Sequence, residues 1–206
     1  DKIGYMDPHL FPQASILDPT YTFTVPKKQT AAGCADAINH IMEQYFCAES
    51  SILNDGMMEA AFKSLMVNGR KCIENPEDYT ARAEMMLDCT LACNGIFSLG
   101  NSRSLWPCHG LEHALSAYYD ITHGEGLAII TPRWMKHILN DHTVDRLAKY
   151  GVNVFGLDAA QDRYDIANQA IQATYDFFAS LGIPMHLREV GIDDSRIDEM
   201  AHHVAE

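Results

Sequence analysis

The sequence lacks several features that would place it in common classes of protein. No two cysteines form a CxxC motif, no glycine-rich GxGxxG run occurs, and no HExxH motif is present. No apolar run reaches the roughly 18 residues that a membrane helix needs. Basic residues are scarce as well, since 15 Lys and Arg stand against 28 Asp and Glu, for a net charge of −13. Such a surface repels phosphate groups, so we expect neither nucleic acid nor a membrane as a partner.

The six cysteines also lack the spacing of a disulfide framework. A chain of 206 residues with 47% hydrophobic side chains can bury a core without such bridges. We therefore predict a reducing, cytoplasmic location. The first residue is not methionine, no signal peptide is present, and a helical pattern still continues at Glu206. These features predict a piece clipped from a longer protein.

The hydrophobic pattern changes at about residue 28. Residues 1–27 hold a β-like run from Tyr21 to Val25 and are predicted to be an extended segment. Beyond them, apolar residues recur at helical spacing, and the first stripe consists of Cys34, Ile38, Ile41, Met42 and Tyr45. Further helices are predicted over residues 51–69 (interrupted near its start by Asn54–Gly56), 77–96, 108–119, 125–139, 143–150, 159–181 and 194–204. The fold is therefore predicted to be mainly α, with residues 28–206 forming one all-helical domain.

The first group of residues that suggests chemistry is Asp36 and His40. Four residues apart, they lie on one face of the predicted helix, one turn from each other and away from its apolar stripe. Taken alone, this spacing is more typical of a solvated acid–base pair than of a metal site. The pair gains meaning only if further ligands lie nearby.

The second group is His109, His113 and His123. His109 and His113 are one helical turn apart and are predicted to face away from an apolar stripe of Leu111, Leu115 and Tyr118. His123 follows a break and precedes the next helix. Three histidines so close in sequence are typical of a metal site, because a core histidine usually occurs singly. Together, the two groups predict a divalent ion held by one Asp and His side chains, with a position open for an outside oxygen ligand.

The same residues resemble the signatures of a known family. Residues 16–22 (ILDPTYT) and 32–45 (AGCADAINHIMEQY) are similar to the first signature of the iron-containing, or group III, alcohol dehydrogenases. Residues 108–128 resemble the second signature, with His109 and His123 fourteen residues apart. Residues 133–135 (RWM) and 181–187 (LGIPMHL) are similar to the butanol-dehydrogenase-like branch. The resemblance covers essentially the whole chain.

The resemblance implies specific roles for these residues. Asp36, His40, His109 and His123 would be the ligands of one Fe²⁺ or Zn²⁺, and His113 would be a nearby catalytic histidine that is not a ligand. The implied fold is the helical C-terminal domain of the dehydroquinate-synthase-like architecture. Residues 1–27 would then be the extended remnant of a nucleotide-binding domain, and residues 28–206 the catalytic domain with a clipped C-terminus.

The implied activity is hydride transfer between NAD(P)H and a small primary alcohol or aldehyde, in a homodimeric enzyme whose missing domain binds the nucleotide. The branch favours NADPH. His113 or a water would deliver a proton, since imidazole titrates near neutral pH. A piece without the nucleotide-binding domain is expected to be inactive by itself. Two alternatives remain: a metal-dependent helical hydrolase, although adjacent His-Asp is absent at the candidate positions, and a helical interaction domain with surface histidines.

Overall fold

Helices form the regular structure of the computed structural model, which describes residues 7–47, 49–102 and 105–205. The eight α-helices of these residues are α1 (Lys27–Tyr45), α2 (Ile52–Glu74), α3 (Tyr79–Cys93), α4 (Pro107–Tyr119), α5 (His123–Ile138), α6 (Val144–Phe155), α7 (Arg163–Ser180) and α8 (Ile197–Ala205). Short 3-10 helices cover Pro8–Leu10, Pro19–Thr22, Ile96–Ser98 and Leu187–Val190. No strand occurs in these residues, and the predicted mainly α fold is confirmed.

Helix α1 lies at the centre of the fold, in contact with α2, α3, α4 and α5. Its predicted apolar stripe is confirmed, because Cys34, Ile38, Ile41, Met42 and Tyr45 are all fully buried. Polar residues outside that stripe are buried too, among them Asn39 and Gln44. Because other helices cover α1 on several sides, its polar face is also directed into the protein. Polar side chains of α1 are therefore buried inside the fold.

Helix α2 is longer and more regular than its sequence suggests. The predicted interruption at Asn54–Gly56 is wrong, since the helix runs unbroken from Ile52 to Glu74. Ser51 caps the helix by accepting the Asn54 N–H at 3.1 Å, and Asp55 lies in the first turn, where a carboxylate is favoured. Polar residues that resemble a turn are here the start of a helix.

The segment before α1 is irregular but contains no β-like run at residues 21–25. Pro19–Thr22 form a 3-10 helix instead, and Asp18 accepts both the backbone N–H and the hydroxyl of Thr20, at 3.0 and 2.7 Å. The proline ring presets the backbone for this turn. Local capping therefore overrides the β propensity of the aromatic and threonine side chains.

The remaining helices agree with prediction except at their ends. Helix α5 begins at His123 rather than at Glu125, and α6 continues to Phe155 rather than ending at Tyr150. All six cysteines are free thiols, as expected without a disulfide framework. None of the described helices combines the length and the hydropathy needed to cross a membrane.

Candidate metal centre

Three histidine side chains, one from each of three helices, converge on one carboxylate oxygen. The Nε2 atoms of His40 and His109 each lie 3.5 Å from Oδ1 of Asp36, and Nε2 of His123 lies 3.6 Å from the same oxygen. Asp36 and His40 belong to α1, His109 to α4, and His123 is the first residue of α5. The structure thus brings together all four residues that were predicted as ligands from the sequence, although Asp36 and His40 are far from His109 and His123 in the chain.

Two of the converging atoms lack hydrogen-bond partners within the described structure, as expected for atoms that bind a metal ion. Oδ1 of Asp36 and Nε2 of His109 are buried and have no hydrogen-bond partner among the described residues. Buried polar atoms are nearly always hydrogen-bonded, so two unpaired atoms pointing at one location call for an outside partner. One carboxylate and three imidazole nitrogens are a donor set that suits a divalent ion such as Zn²⁺ or Fe²⁺. The residues present therefore fit the metal that the sequence predicts.

The electrostatics of the cluster favour a positive charge. Burial opposes ionisation of Asp36, but a contact with His109 and the charges of His40 and His123 outweigh it and hold its pKa below the usual value. Burial also disfavours the cationic form of His109, yet the carboxylates of Asp36 and Glu43 raise its pKa to about 9. The pKa of His40 is lowered, mainly by burial. The carboxylates thus make this location one where positive charge is stabilised.

Close packing of α5 on α1 brings His123 to the site. Beside it, Gly124 approaches α1 so closely that a Cβ atom there would lie 2.0 Å from the carbonyl oxygen of Ala32. Further along, the Thr131 hydroxyl donates a hydrogen bond to Oδ1 of Asn39, and both residues are fully buried. A glycine at the start of α5 therefore lets the first turn of that helix reach the Asp36 face of α1.

The backbone is strained at both ends of α4, the helix that carries His109. Trp106 before the helix and Asp120 after it both have a φ of 52°, in the left-handed region that non-glycine residues rarely adopt. The Trp106 ring lies edge-on to the rings of His40 and His109, with centroids 5.2 Å away from each. Such conformations cost free energy and cluster at functional sites, where packing maintains them.

Helix α4 is rotated relative to the predicted apolar stripe. Leu115 is buried as expected, but Leu111 is 41% exposed, while His109 is only 8% exposed. His109 and His113 therefore do not share one environment. The ring of His113 is exposed, with its centroid 6.2 Å from that of His109 and 5.4 Å from that of His123. His113 thus borders the cluster from the solvent side.

Two buried glutamates behind the histidines are the residues that the sequence did not identify. Glu43 contacts Nδ1 of His109, and Glu112 contacts Nδ1 of His123. Glu43 lies seven residues after Asp36, and this spacing places both residues on one face of α1. The sequence spacing does not identify Glu112 in this way, because its partner His123 lies on the next helix.

Glu112, His113 and His123 form a second set of neighbouring ligand-type atoms. Both oxygens of Glu112 are already engaged, one by His123 and the other by the Ser116 hydroxyl. The unpaired atoms lie instead in the set of Asp36, His40 and His109. The set of Asp36, His40 and His109 is therefore the better candidate for binding an ion.

Known proteins resemble this chain along nearly its whole length. A family model described as the Fe-containing alcohol dehydrogenase family, C-terminal, matches residues 30–206. NADH-dependent butanol dehydrogenase A of Clostridium acetobutylicum is 50% identical over 202 residues, which are 98% of this chain and 52% of that protein. NADPH-dependent aldehyde reductase YqhD of Escherichia coli is 34% identical over 208 residues, covering 100% of this chain and 53% of that protein.

Solved structures give the same result at the level of the fold. The crystal structure of NADH-dependent butanol dehydrogenase A from Thermotoga maritima matches with a TM-score of 0.90 at 35% identity, over 97% of this chain and 49% of that one. The chain thus spans about half the length of the relatives it matches. Their names cite NADH in some cases and NADPH in another, so the preference for NADPH stays a prediction.

Proposed function

Because the chain belongs to the Fe-containing alcohol dehydrogenase family, we propose that it is the metal-binding part of an enzyme that interconverts small primary alcohols and aldehydes with NAD(P)H. The observation that carries this proposal is the convergence of His40, His109 and His123 on one oxygen of Asp36. The relatives named above are dehydrogenases or reductases, and none is a hydrolase. The hydrolase alternative and the simple interaction domain therefore have no support.

Asp36, His40, His109 and His123 would hold one Fe²⁺ or Zn²⁺. The ion would polarise the carbonyl oxygen of the aldehyde, and the nicotinamide would supply the hydride. The protein contributes the placement of the ligands on three packed helices, which fixes the donors before the ion arrives. The ring of Trp106 packs against those of His40 and His109 at one side of the cluster.

The proposal also includes the nucleotide cofactor, the cellular location and the oligomeric state. NAD(P)H would be held mainly by a nucleotide-binding half to which residues 1–27 would belong, since this sequence has no glycine-rich phosphate loop. The six free thiols fit the reducing cytoplasm. We also expect the whole enzyme to be a homodimer, which its sedimentation would reveal.

Metal content tests the centre directly. Elemental analysis of the purified protein should find close to one Fe or Zn per chain, and His109→Ala should lose it. His137→Ala is the matched control, because it removes an exposed imidazole from α5 without touching the cluster. If the wild-type protein bound neither Fe²⁺ nor Zn²⁺ at micromolar concentrations, the proposed centre would be wrong.

His113 is proposed to hold the proton that the alcohol product receives. Its exposed ring lies beside His109 and His123 but does not belong to the group that converges on Asp36. His113→Ala should therefore lower the turnover of the complete enzyme on the order of 100-fold, a typical loss for a proton-transfer group. The metal content should not change, and a loss of metal in this variant would make His113 a ligand instead.

A further inference from the structure

Glu43 is a buried carboxylate with partners on two sides. Its side chain is completely inaccessible to solvent, in the middle of the fold on α1. Oε2 contacts Nδ1 of His109, and Oε1 accepts the backbone N–H of Cys108 at 2.5 Å. One carboxylate thus holds both the backbone of the first turn of α4 and the imidazole that projects from that turn.

The N-terminus of α4 needs such a partner. Its N-cap residue, Trp106, offers no side-chain cap, and proline at the next position has no N–H. The free N–H groups of a first turn carry partial positive charge, which stabilises a nearby carboxylate. Glu43 therefore acts as a cap supplied by another helix, and its burial is compensated by the dipole of α4 and by His109.

Glu112 repeats this arrangement at the second histidine. Its side chain is also completely buried, Oε2 contacts Nδ1 of His123, and Oε1 accepts the hydroxyl of Ser116. Ser116 lies one turn later on the same helix and keeps the carboxylate in place. His40 has no such support, since its Nδ1 is buried without a hydrogen-bond partner in the described part of the chain.

We propose that Glu43 and Glu112 are positioning residues of the metal centre: each accepts the Nδ1–H of its histidine and thereby turns the lone pair of Nε2 toward Asp36. Of the two neutral tautomers of imidazole, the one protonated on Nδ1 coordinates only through Nε2, and a carboxylate at Nδ1 favours this tautomer. The inference rests on the proposed centre. It adds that the affinity for the ion depends on two residues that do not touch it.

Zn²⁺ affinity measures this dependence without any enzymatic activity. Competition with a coloured chelator should show that Glu43→Gln and Glu112→Gln bind Zn²⁺ about 10- to 100-fold more weakly than the wild type, as expected for partners of ligating histidines. Glu125→Gln is the matched control. Glu125 is also a buried glutamate beside the centre, but its partner is Lys28 at 3.2 Å, and its variant should bind Zn²⁺ like the wild type.

The imidazole protons separate positioning from a general loss of structure. In the Zn²⁺-loaded protein, ¹H–¹⁵N NMR should show Nδ1–H protons on His109 and His123 that exchange slowly with water. Glu43→Gln should speed the exchange for His109 only, and Glu112→Gln for His123 only. A merely structural role would change both protons together. If one variant does not fold, the other still tests the proposal, and Ser116→Ala gives a milder change at Glu112.

The outcomes distinguish the two levels of the proposal. Absence of Zn²⁺ binding by the wild-type protein would overturn the centre itself. Normal binding by the wild type and by both glutamine variants, with unchanged Nδ1–H exchange, would leave the centre in place and overturn the roles of Glu43 and Glu112.

Discussion

Asp36 and Asp55 lie on neighbouring helices, and each is surrounded by basic side chains, but the two clusters differ in what they leave unpaired. Asp55 meets Arg146 through both oxygens, each at 2.6 Å, and Lys149 at 2.5 Å. Arg146 also donates to the carbonyl of Tyr45 and lies over its ring at 3.8 Å. Oδ1 of Asp36 lies 3.5–3.6 Å from three imidazoles and accepts no hydrogen bond from the described residues.

The difference separates a cluster that stabilises the fold from one that is prepared for a ligand. Ionised groups inside a protein are tolerated when their hydrogen bonds are satisfied, and the Asp55 cluster fulfils this condition. The Asp36 cluster does not, because its donors and acceptors point at one location instead of at each other. Buried charge by itself therefore does not reveal a site; convergence of unpaired atoms does.

Removal of Asp55 should have the largest effect on stability. Asp55→Ala leaves the largely buried guanidinium of Arg146 without its carboxylate, and breaking such a pair costs about 3–5 kcal/mol in the free energy of unfolding. Urea denaturation at pH 7 would measure this loss, and metal content should stay unchanged. Asp141→Ala, which removes an exposed carboxylate paired with Arg163, should change neither quantity. Loss of metal from Asp55→Ala would show that the two clusters are coupled.

The effect of Asp55 should depend on pH in a defined direction. Burial alone would raise the pKa of its carboxyl, but Arg146 and Lys149 outweigh burial and hold that pKa well below the usual value. A carboxyl whose pKa is lowered in the folded state stabilises the protein at pH values above its pKa in the unfolded state, which is about 3.9. The difference between wild type and Asp55→Ala should therefore be constant at neutral pH and shrink as the pH falls below about 4.

A change at Gly124 should weaken both stability and metal binding, unlike a change at Asp55. A methyl group there meets the backbone oxygen of Ala32, which cannot move aside as a side chain can, so α5 must shift away from α1. We expect Gly124→Ala to cost about 1–3 kcal/mol of unfolding free energy, as overpacked sites do. Because His123 moves with the helix, Zn²⁺ affinity should fall as well.

Gly110 provides the matched control on α4. A Cβ at this position has no neighbour within 4 Å, and the residue lies between His109 and the exposed Leu111 in a regular helix. Gly110→Ala should therefore stabilise the protein by about 0.4–1 kcal/mol and leave Zn²⁺ affinity unchanged. Equal behaviour of the two alanine variants would contradict the view that the approach of α5 to α1 builds the centre.

Asp88 offers a further test, as a buried carboxylate that is incompletely paired but belongs to no cluster of ligands among the described residues. It is 6% exposed, and its Oδ2 has no hydrogen-bond partner in the described chain. Burial raises its pKa to about 6. Because this value lies above that of the unfolded state, the carboxyl costs stability as the pH rises from about 4 to 6.

Asp88→Asn should accordingly stabilise the protein at pH 7 by about 1–3 kcal/mol, and the gain should vanish below pH 4. Thermal unfolding across this pH range would measure it. Metal content should not change, since Asp88 shares no site with the histidines among the described residues. A destabilised Asp88→Asn at neutral pH would instead mean that the ionised carboxylate has a partner.

Much of the fold could be predicted because helices depend on local spacing. The stripe from Cys34 to Tyr45 predicts α1 and its buried face, and all of its residues are in the core. Prediction failed where capping or packing overrides local preference. Ser51 starts a helix across Asn54–Gly56, and Asp18 with Pro19 turns a β-like run into a 3-10 helix.

By itself, the sequence determined the composition of the candidate centre: Asp36 and His40 share a helix face because they are four residues apart, and the family signatures add His109 and His123. Only the tertiary structure decided that three helices bring these atoms to one oxygen, since contacts between distant residues depend on packing such as that of Gly124 against Ala32. It alone also placed Glu43 and Glu112 behind two of the histidines. The physical reason is range: helical spacing acts over a few residues, whereas burial and side-chain pairing depend on which helices meet.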